Sequence, residues 1–316
     1  MSIRPLALFD LPYIYSYRDE AIGLDTARTL TRGSPLGAVG LFAYVNPVRH
    51  IYSAITNGDG EAVLGGIIHS RSDTFAKLLY IAPLSQLNHT DLPELIENLS
   101  AQAGNWGAFH VLAEVDETSD AFVALRKAGF SVYAWQRMWN VSEIAEAGSG
   151  SRAERRVKPE DEAWTRVKSV HLPSVQSLYH QIVPPLLHPF EPQPKSPGGW
   201  MCCNEGTRCY VSMVHGVYGI VLTPLIHPEA TDVSRKLASL INHLPERRNR
   251  PVYLCVRSYQ AWLEPVLADL GAKAAERQAV MVKHLARLVK EEQTVPAVPS
   301  GARVQPSQVS GVGGKK

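Results

Sequence analysis

Apolar positions along the chain follow two alternating periods, a two-residue period over short runs and a helical period over longer ones. The same order of runs occurs twice, so the chain reads as an internal repeat. Asp10-Leu11-Pro12 opens a short helix in the first half and His171-Leu172-Pro173 opens one in the second. Each half then has a hairpin. Residues 51–56 and 62–69 flank Asn57-Gly58-Asp59-Gly60, and residues 200–203 and 209–214 flank Asn204-Glu205-Gly206. A third strand ends at a proline in both copies, Ala82-Pro83 and Thr223-Pro224. Helical spacing follows, with Leu92, Leu95, Ile96 and Leu99 in one copy and Val233, Leu237, Leu240, Ile241 and Leu244 in the other. A buried strand comes next, 109–115 and 252–256, and then a helix that stops at Gly129 or Gly271. Seven residues after each glycine stands a glutamine, Gln136 and Gln278, inside a final strand.

Length agrees with the repeat, since 316 residues make about two average domains. The expected organisation is a domain over 1–145, a linker over 146–155, a second domain over 156–290, and a disordered tail over 291–316 rich in Pro, Ser, Gly and Val. Apolar residues at 45% and charged residues at 20% are globular composition, and 32 Lys+Arg against 30 Asp+Glu leave a net charge of +2. That balance argues against a dedicated nucleic-acid binder. No apolar run reaches the roughly 18 residues of a membrane span, and Asp10 and Pro12 interrupt the first apolar stretch, so a cytoplasmic location is expected. The expected partner is a small molecule or another protein, with the oligomeric state left open.

The order strand, helices, three-strand meander, helix, strand, helix-Gly-Phe, strand resembles the GCN5-related N-acetyltransferase (GNAT) superfamily. The phrase Leu125-Arg126-Lys127-Ala128-Gly129-Phe130 is similar to the family motif before its penultimate strand. The resemblance implies an α/β fold of two tandem GNAT-like domains, each a central mixed, mostly antiparallel sheet flanked by helices. It further implies a cleft between splayed strands where acetyl-CoA would lie. Residues expected to line it are Tyr80, Ile81 and Ala82 with Gln86 in the first half, and Val221, Leu222 and Thr223 in the second.

The family holds the cofactor pyrophosphate in a loop reading Arg/Gln-x-x-Gly-x-Gly/Ala before a helix. Gln86 fits the first position, but His89 and Asp91 replace the two glycines. In the second half the corresponding residues are His227, Ala230 and Asp232. Asp91 and Asp232 are expected to cap their helices, Asp91 with Glu94 at capping-box spacing, and so to take the place of the phosphate. A carboxylate there would also repel pyrophosphate by about 1–4 kcal/mol. Many family members place a tyrosine four residues before the motif glycine as general acid, and here those positions are Leu125 and Leu267. No catalytic residue is assigned.

The expected function is therefore a non-catalytic or diverged protein that binds a ligand or partner, without a certain cofactor and without a metal. An active N-acyltransferase using acetyl-CoA through a non-standard loop is the alternative. Cys202, Cys203, Cys209 and Cys255 read as buried strand residues and not as zinc ligands, because Cys202 and Cys203, adjacent on a strand, point to opposite faces and cannot both join one site. Glu114 amid apolar neighbours reads either as a general base in the cleft or as a strand-end carboxylate paired with a cation. His171, His180 and His188 read as pocket-lining or ordinary surface histidines. The 183–199 stretch, with six prolines, reads as a partner-binding loop or an extended connector.

Overall fold

The computed structural model describes residues 2–37, 49–57, 62–147, 164–202, 208–244 and 247–285. The hairpin turns, most of the expected linker, the basic cluster Arg152, Arg155, Arg156 and Lys158, Cys203, and the expected tail lie outside the described residues.

The first half runs β1 (Ser2–Pro5), α1 (Leu11–Ser16), β2 (Ile22–Gly23), α2 (Thr26–Arg32), β3 (Arg49–Asn57), β4 (Leu64–Ser70), β5 (Phe75–Ala82), α3 (Leu92–Asn105), β6 (His110–Asp116), α4 (Asp120–Lys127), β7 (Ser131–Asn140) and α5 (Ser142–Ala147). The second runs β8 (Trp164–Arg166), α6 (Leu172–Ile182), β9 (Trp200–Cys202), β10 (Cys209–His215), β11 (Ile220–Ile226), α7 (Val233–Asn242), β12 (Val252–Arg257), α8 (Leu263–Asp269) and β13 (Lys273–His284).

The repeated glycines do the same work in both halves. Gly129 and Gly271 sit at φ +89° and +80°, a region that strains any residue with a Cβ. Around them Phe130 N donates to Leu125 O and Ala272 N to Leu267 O, the six-to-one bond of a Schellman cap. Each glycine thus turns the chain sharply from helix into its last strand.

Those last strands are exchanged. The sheet order is β1-β3-β4-β5-β6-β13-β7-β12-β11-β10-β9-β8, with β2 added on β5. β13, the end of the second half, lies between β6 and β7 of the first, and β7 pairs with β12 of the second. One sheet therefore runs through both halves, mostly antiparallel, with β5–β6 and β11–β12 as its parallel pairs among the described residues.

The cores follow the exchange. Leu95, Ile96 and Leu99 of α3 and Leu125 of α4 pack with Ala279 and Met281 of β13. Leu237 and Leu240 of α7 and Leu263 and Leu267 of α8 pack with Trp139 of β7. Each half thus buries apolar side chains donated by the other, at roughly 1.5–3 kcal/mol for each large one.

Candidate functional site

At the exchange, four polar residues stand side by side on four neighbouring strands. Asp116 pairs with Gln278, Gln278 with Gln136, and Gln136 with Arg257. Directly opposite residues in a sheet share a face, so their side chains meet. Gln278 Nε2 donates to Asp116 Oδ1 at 2.9 Å, and Gln136 Nε2 to Gln278 Oε1 at 2.9 Å. Arg257 Nη1 donates to Gln136 Oε1 at 2.5 Å. The two repeated glutamines are thus partners at the centre of the exchange, with an acid on one side and a base on the other.

Further charges gather around this ladder. Arg257 Nε lies 3.3 Å from Glu191 Oε1, and its Nη2 lies 3.8 Å from Glu114 Oε1. Lys77 Nζ lies 3.3 Å from Asp25 Oδ1. Burial works against the charge on Lys77, but Asp25 and then Glu114 outweigh it and hold the ammonium above its ordinary value. Burial raises Glu191, with Arg257 opposing and Glu114 adding to the rise. Burial also pushes the Cys255 thiol up to about 12, so it stays protonated and donates to Gln136 Oε1 at 3.3 Å.

The parallel pairs open into two V-shaped gaps. β5 and β6 are paired from Phe75/His110 to Lys77/Leu112, and β11 and β12 from Ile220/Val252 to Leu222/Leu254. Beyond those points the strands part, and each gap is filled by the chain itself. In the first, Ile22 and Gly23 pair with Ile81 and Tyr80. Leu24 then bridges the two arms, its N donating to Leu79 O and its O accepting from Glu114 N, both at 2.9 Å. Glu114 Oε2 accepts from Thr26 N at 2.9 Å, so the carboxylate seats the first amide of α2.

In the second gap the filler is one side chain. Gln260, 1% exposed, donates from Nε2 to Pro224 O at 2.8 Å and accepts at Oε1 from Ile226 N at 2.9 Å. Its amide pairs with the edge of β11 as a peptide would. Freeing Leu24 and Thr26 from the first gap would break three hydrogen bonds and expose Leu24, at about 3–7 kcal/mol, before the β2–β5 pairing is counted.

The residues expected to line the clefts fall as follows. Tyr80, Ile81 and Ala82 are fully buried on β5, where Ile81 and Tyr80 already pair with the inserted segment and Tyr80 Oη donates to Ser53 Oγ. Gln86 ends a 3₁₀ turn, Leu84–Gln86, beyond the strand. Val221 and Leu222 lie in the closed part of the second pair, and Thr223 is the first residue past it. Four strands separate the two sets.

The caps differ from expectation. Asp91 has helical angles and its side chain bonds no helix amide; its carboxylate lies against His89 Nδ1 at 3.4 Å and Thr90 Oγ1 at 3.2 Å. Asp232 is left-handed, φ +50°, and accepts from Arg235 Nη2 at 2.8 Å instead of capping α7. In both copies the chain already coils at the turn before the helix, which takes the aspartate out of the extended conformation a cap needs. The charge stays near each helix start, but the amides are not consumed by it.

The histidines and the proline-rich stretch form a second region on the sheet. His171 accepts at Nδ1 from Lys168 N, and His180 and His188 meet edge-on at 5.0 Å. From His188 the chain crosses to the first half, where Thr74 Oγ1 donates to Pro189 O and Lys195 Nζ to Ser72 O. Phe190 settles against His110, His284 and Tyr133. Cys202 and Cys209 are buried cross-strand partners in the core under α7. Among the described residues no helix is long and apolar enough to cross a membrane.

No protein-family model and no curated protein matches the chain. Solved structures do. A GCN5-related N-acetyltransferase from Sphaerobacter thermophilus superposes with a TM-score of 0.53 at 12% identity, covering 90% of this chain and 95% of that one. A tandem GNAT protein from the clavulanic acid biosynthesis pathway, solved without AcCoA, gives 0.52 at 14% identity, covering 91% and 99%. At these identities the likeness is one of fold, and this chain has the fold of a tandem GNAT protein.

Proposed function

We propose that this chain is a non-catalytic GNAT-fold protein that binds a ligand or a partner and does not transfer an acyl group. The observation that carries this reading is that both strand openings are filled from within, by 22–24 in one half and by Gln260 in the other. Acetyl-CoA is the cofactor the fold implies, and the residues present do not fit it. The strand edges are occupied, and Asp91 and Asp232, paired with His89 and Arg235, stand at the helix starts where the family resemblance would put a pyrophosphate. Leu125 and Leu267, both fully buried, have no proton to give.

A working N-acyltransferase is the competing reading, and Glu114 at the mouth of the first opening favours it. That reading requires the inserted segment to leave, which lowers affinity by the 3–7 kcal/mol above, roughly a hundredfold or more. Calorimetric titration with acetyl-CoA, CoA and pantetheine tests the proposal. No binding at millimolar ligand is expected. A dissociation constant in the micromolar range, unchanged or tightened by Asp91→Gly, would overturn it.

A further inference from the structure

The core under α7 holds two thiols with no part in the proposed function. Cys202 is the last residue of β9 and Cys209 the first of β10, and the register sets them directly opposite each other. Both side chains are buried in the same apolar cluster, at 3% and 2% exposure, so they share one face of the sheet, and both are thiols in this structure. Cys255 stands on β12, two strands beyond β10, in a separate cluster.

The backbone fixes their separation. Ile226, opposite Cys209 on β11, turns its N–H to Gln260 Oε1, and on the next rung His227 N donates to Arg208 O. Hydrogen-bonded and open rungs alternate along an antiparallel pair, so Cys209 makes no ladder bond to Ile226. Its N–H and C=O turn instead toward β9, and Cys202–Cys209 is a hydrogen-bonded rung with Cα atoms about 5.5 Å apart. Disulfides span Cα separations of roughly 4.4–6.8 Å, so the bond fits between these two backbones. The Cβ atoms of such a rung lie about 5.5 Å apart, against roughly 3.5–4.5 Å in a relaxed disulfide. Closing the bond thus draws the strands together at this rung, and a bond formed under such strain is readily reduced again.

β9 can yield because it is short. It has three rungs on β10 and three on β8, and the cysteines form its rung nearest the hairpin turn, where strands open first. Such opening admits a small reagent to thiols that packing otherwise covers. We infer that Cys202 and Cys209 are a redox-active pair, oxidised to a cross-strand disulfide by a low-molecular-weight disulfide of the glutathione class. One cysteine loses its proton to solvent, and its thiolate attacks a sulfur of the reagent, forming a mixed disulfide and releasing one reagent thiolate. The second cysteine, likewise deprotonated, attacks the protein sulfur of the mixed disulfide and releases the other. Two protein thiols are oxidised, one reagent disulfide is reduced to two thiols, and the two protons end on them. Oxidation ties β9, and through it β8, to the rung that carries Ile226 and the Gln260 amide. Reduction releases them. The inference stands whether or not acyl-CoA binds.

The test uses the full chain carrying Cys203→Ser, without denaturant, so that the adjacent thiol does not enter the count. Incubation with millimolar oxidised glutathione over hours should remove two thiols, and a peptide map should show Cys202 joined to Cys209. Exchange of the β9 amides should slow at least tenfold, and an excess of reduced glutathione should restore both thiols and the original exchange. The wild-type chain should form the same link. Adding Cys209→Ala, with the fold checked by circular dichroism, should stop the reaction at a glutathione adduct on Cys202 with no slowing of exchange. No oxidation of the native protein, oxidation only in urea, a link through Cys203 or Cys255 in its place, or a bond that ten millimolar reduced glutathione leaves intact would overturn the inference.

Discussion

The glutamine pair predicts a large loss from a small change. Gln136 is 2% exposed, and its amide makes one bond to Gln278 and accepts from the charged Arg257. Methionine at 136 would fill nearly the same volume and make neither bond. The bond to Gln278 is worth about 1 kcal/mol, and the one from Arg257 about 1.5–3 kcal/mol because its donor is charged and buried. Gln136→Met should therefore destabilise by about 2.5–4 kcal/mol, out of the 5–15 kcal/mol typical of a folded protein. Urea unfolding followed by circular dichroism reads this as a lowered midpoint with an unchanged slope, by about 1 M for a slope of about 3 kcal/mol/M. The double variant Gln136→Met, Gln278→Met should lose about 1 kcal/mol less than the sum of the two single variants, since the two residues share one bond. A loss below 1 kcal/mol for Gln136→Met, or strict additivity, would refute the claim that this ladder holds the exchanged strands together.

Three further outcomes follow from single groups. Gly271→Ala, at φ +80°, should cost about 1–2 kcal/mol, read as a lowered melting temperature. His110 is held below its ordinary 6.5 by burial and then by His284. Its contribution to stability is therefore full above pH 6.5 and is lost as pH falls through the folded value. Chemical unfolding between pH 7.5 and 5 should show a shallower decline in His110→Gln than in wild type. Cys255, buried and raised to about 12, should resist alkylation by iodoacetamide at pH 8 in the native protein and react once urea unfolds it; prompt native labelling would contradict the packing around Gln136.

Much of the fold was legible because its signals repeat at fixed spacing. Gly129 and Gly271 end helices by a backbone requirement that only glycine meets cheaply, and Gln136 and Gln278 sit at equal distances behind them. The exchange was not legible, because β7 and β13 follow identical helix–glycine turns and offer the same edges to β6 and β12. Local pattern carries no term that prefers one partner over the other. The inserted segment escaped for a different reason: Ile22–Gly23 is a two-residue strand, too short for any periodicity. Arg257 closes an apolar run and Glu191 lies among prolines, so each read as an isolated charge although tertiary contact makes them neighbours. Asp91 and Asp232 had the right residue type for a cap and the wrong backbone angles, which sequence does not fix.

The central claim is that the chain occupies its own strand openings, and amide hydrogen exchange tests it most directly. The amides of Leu24 and Ile226, bonded to Leu79 O and Gln260 Oε1, should exchange slowly in the protein alone. They should keep the same protection when acetyl-CoA is added to several millimolar. Rapid exchange at Leu24 in the free protein, slowed by acetyl-CoA, would show an open cleft that the cofactor fills and would contradict the account.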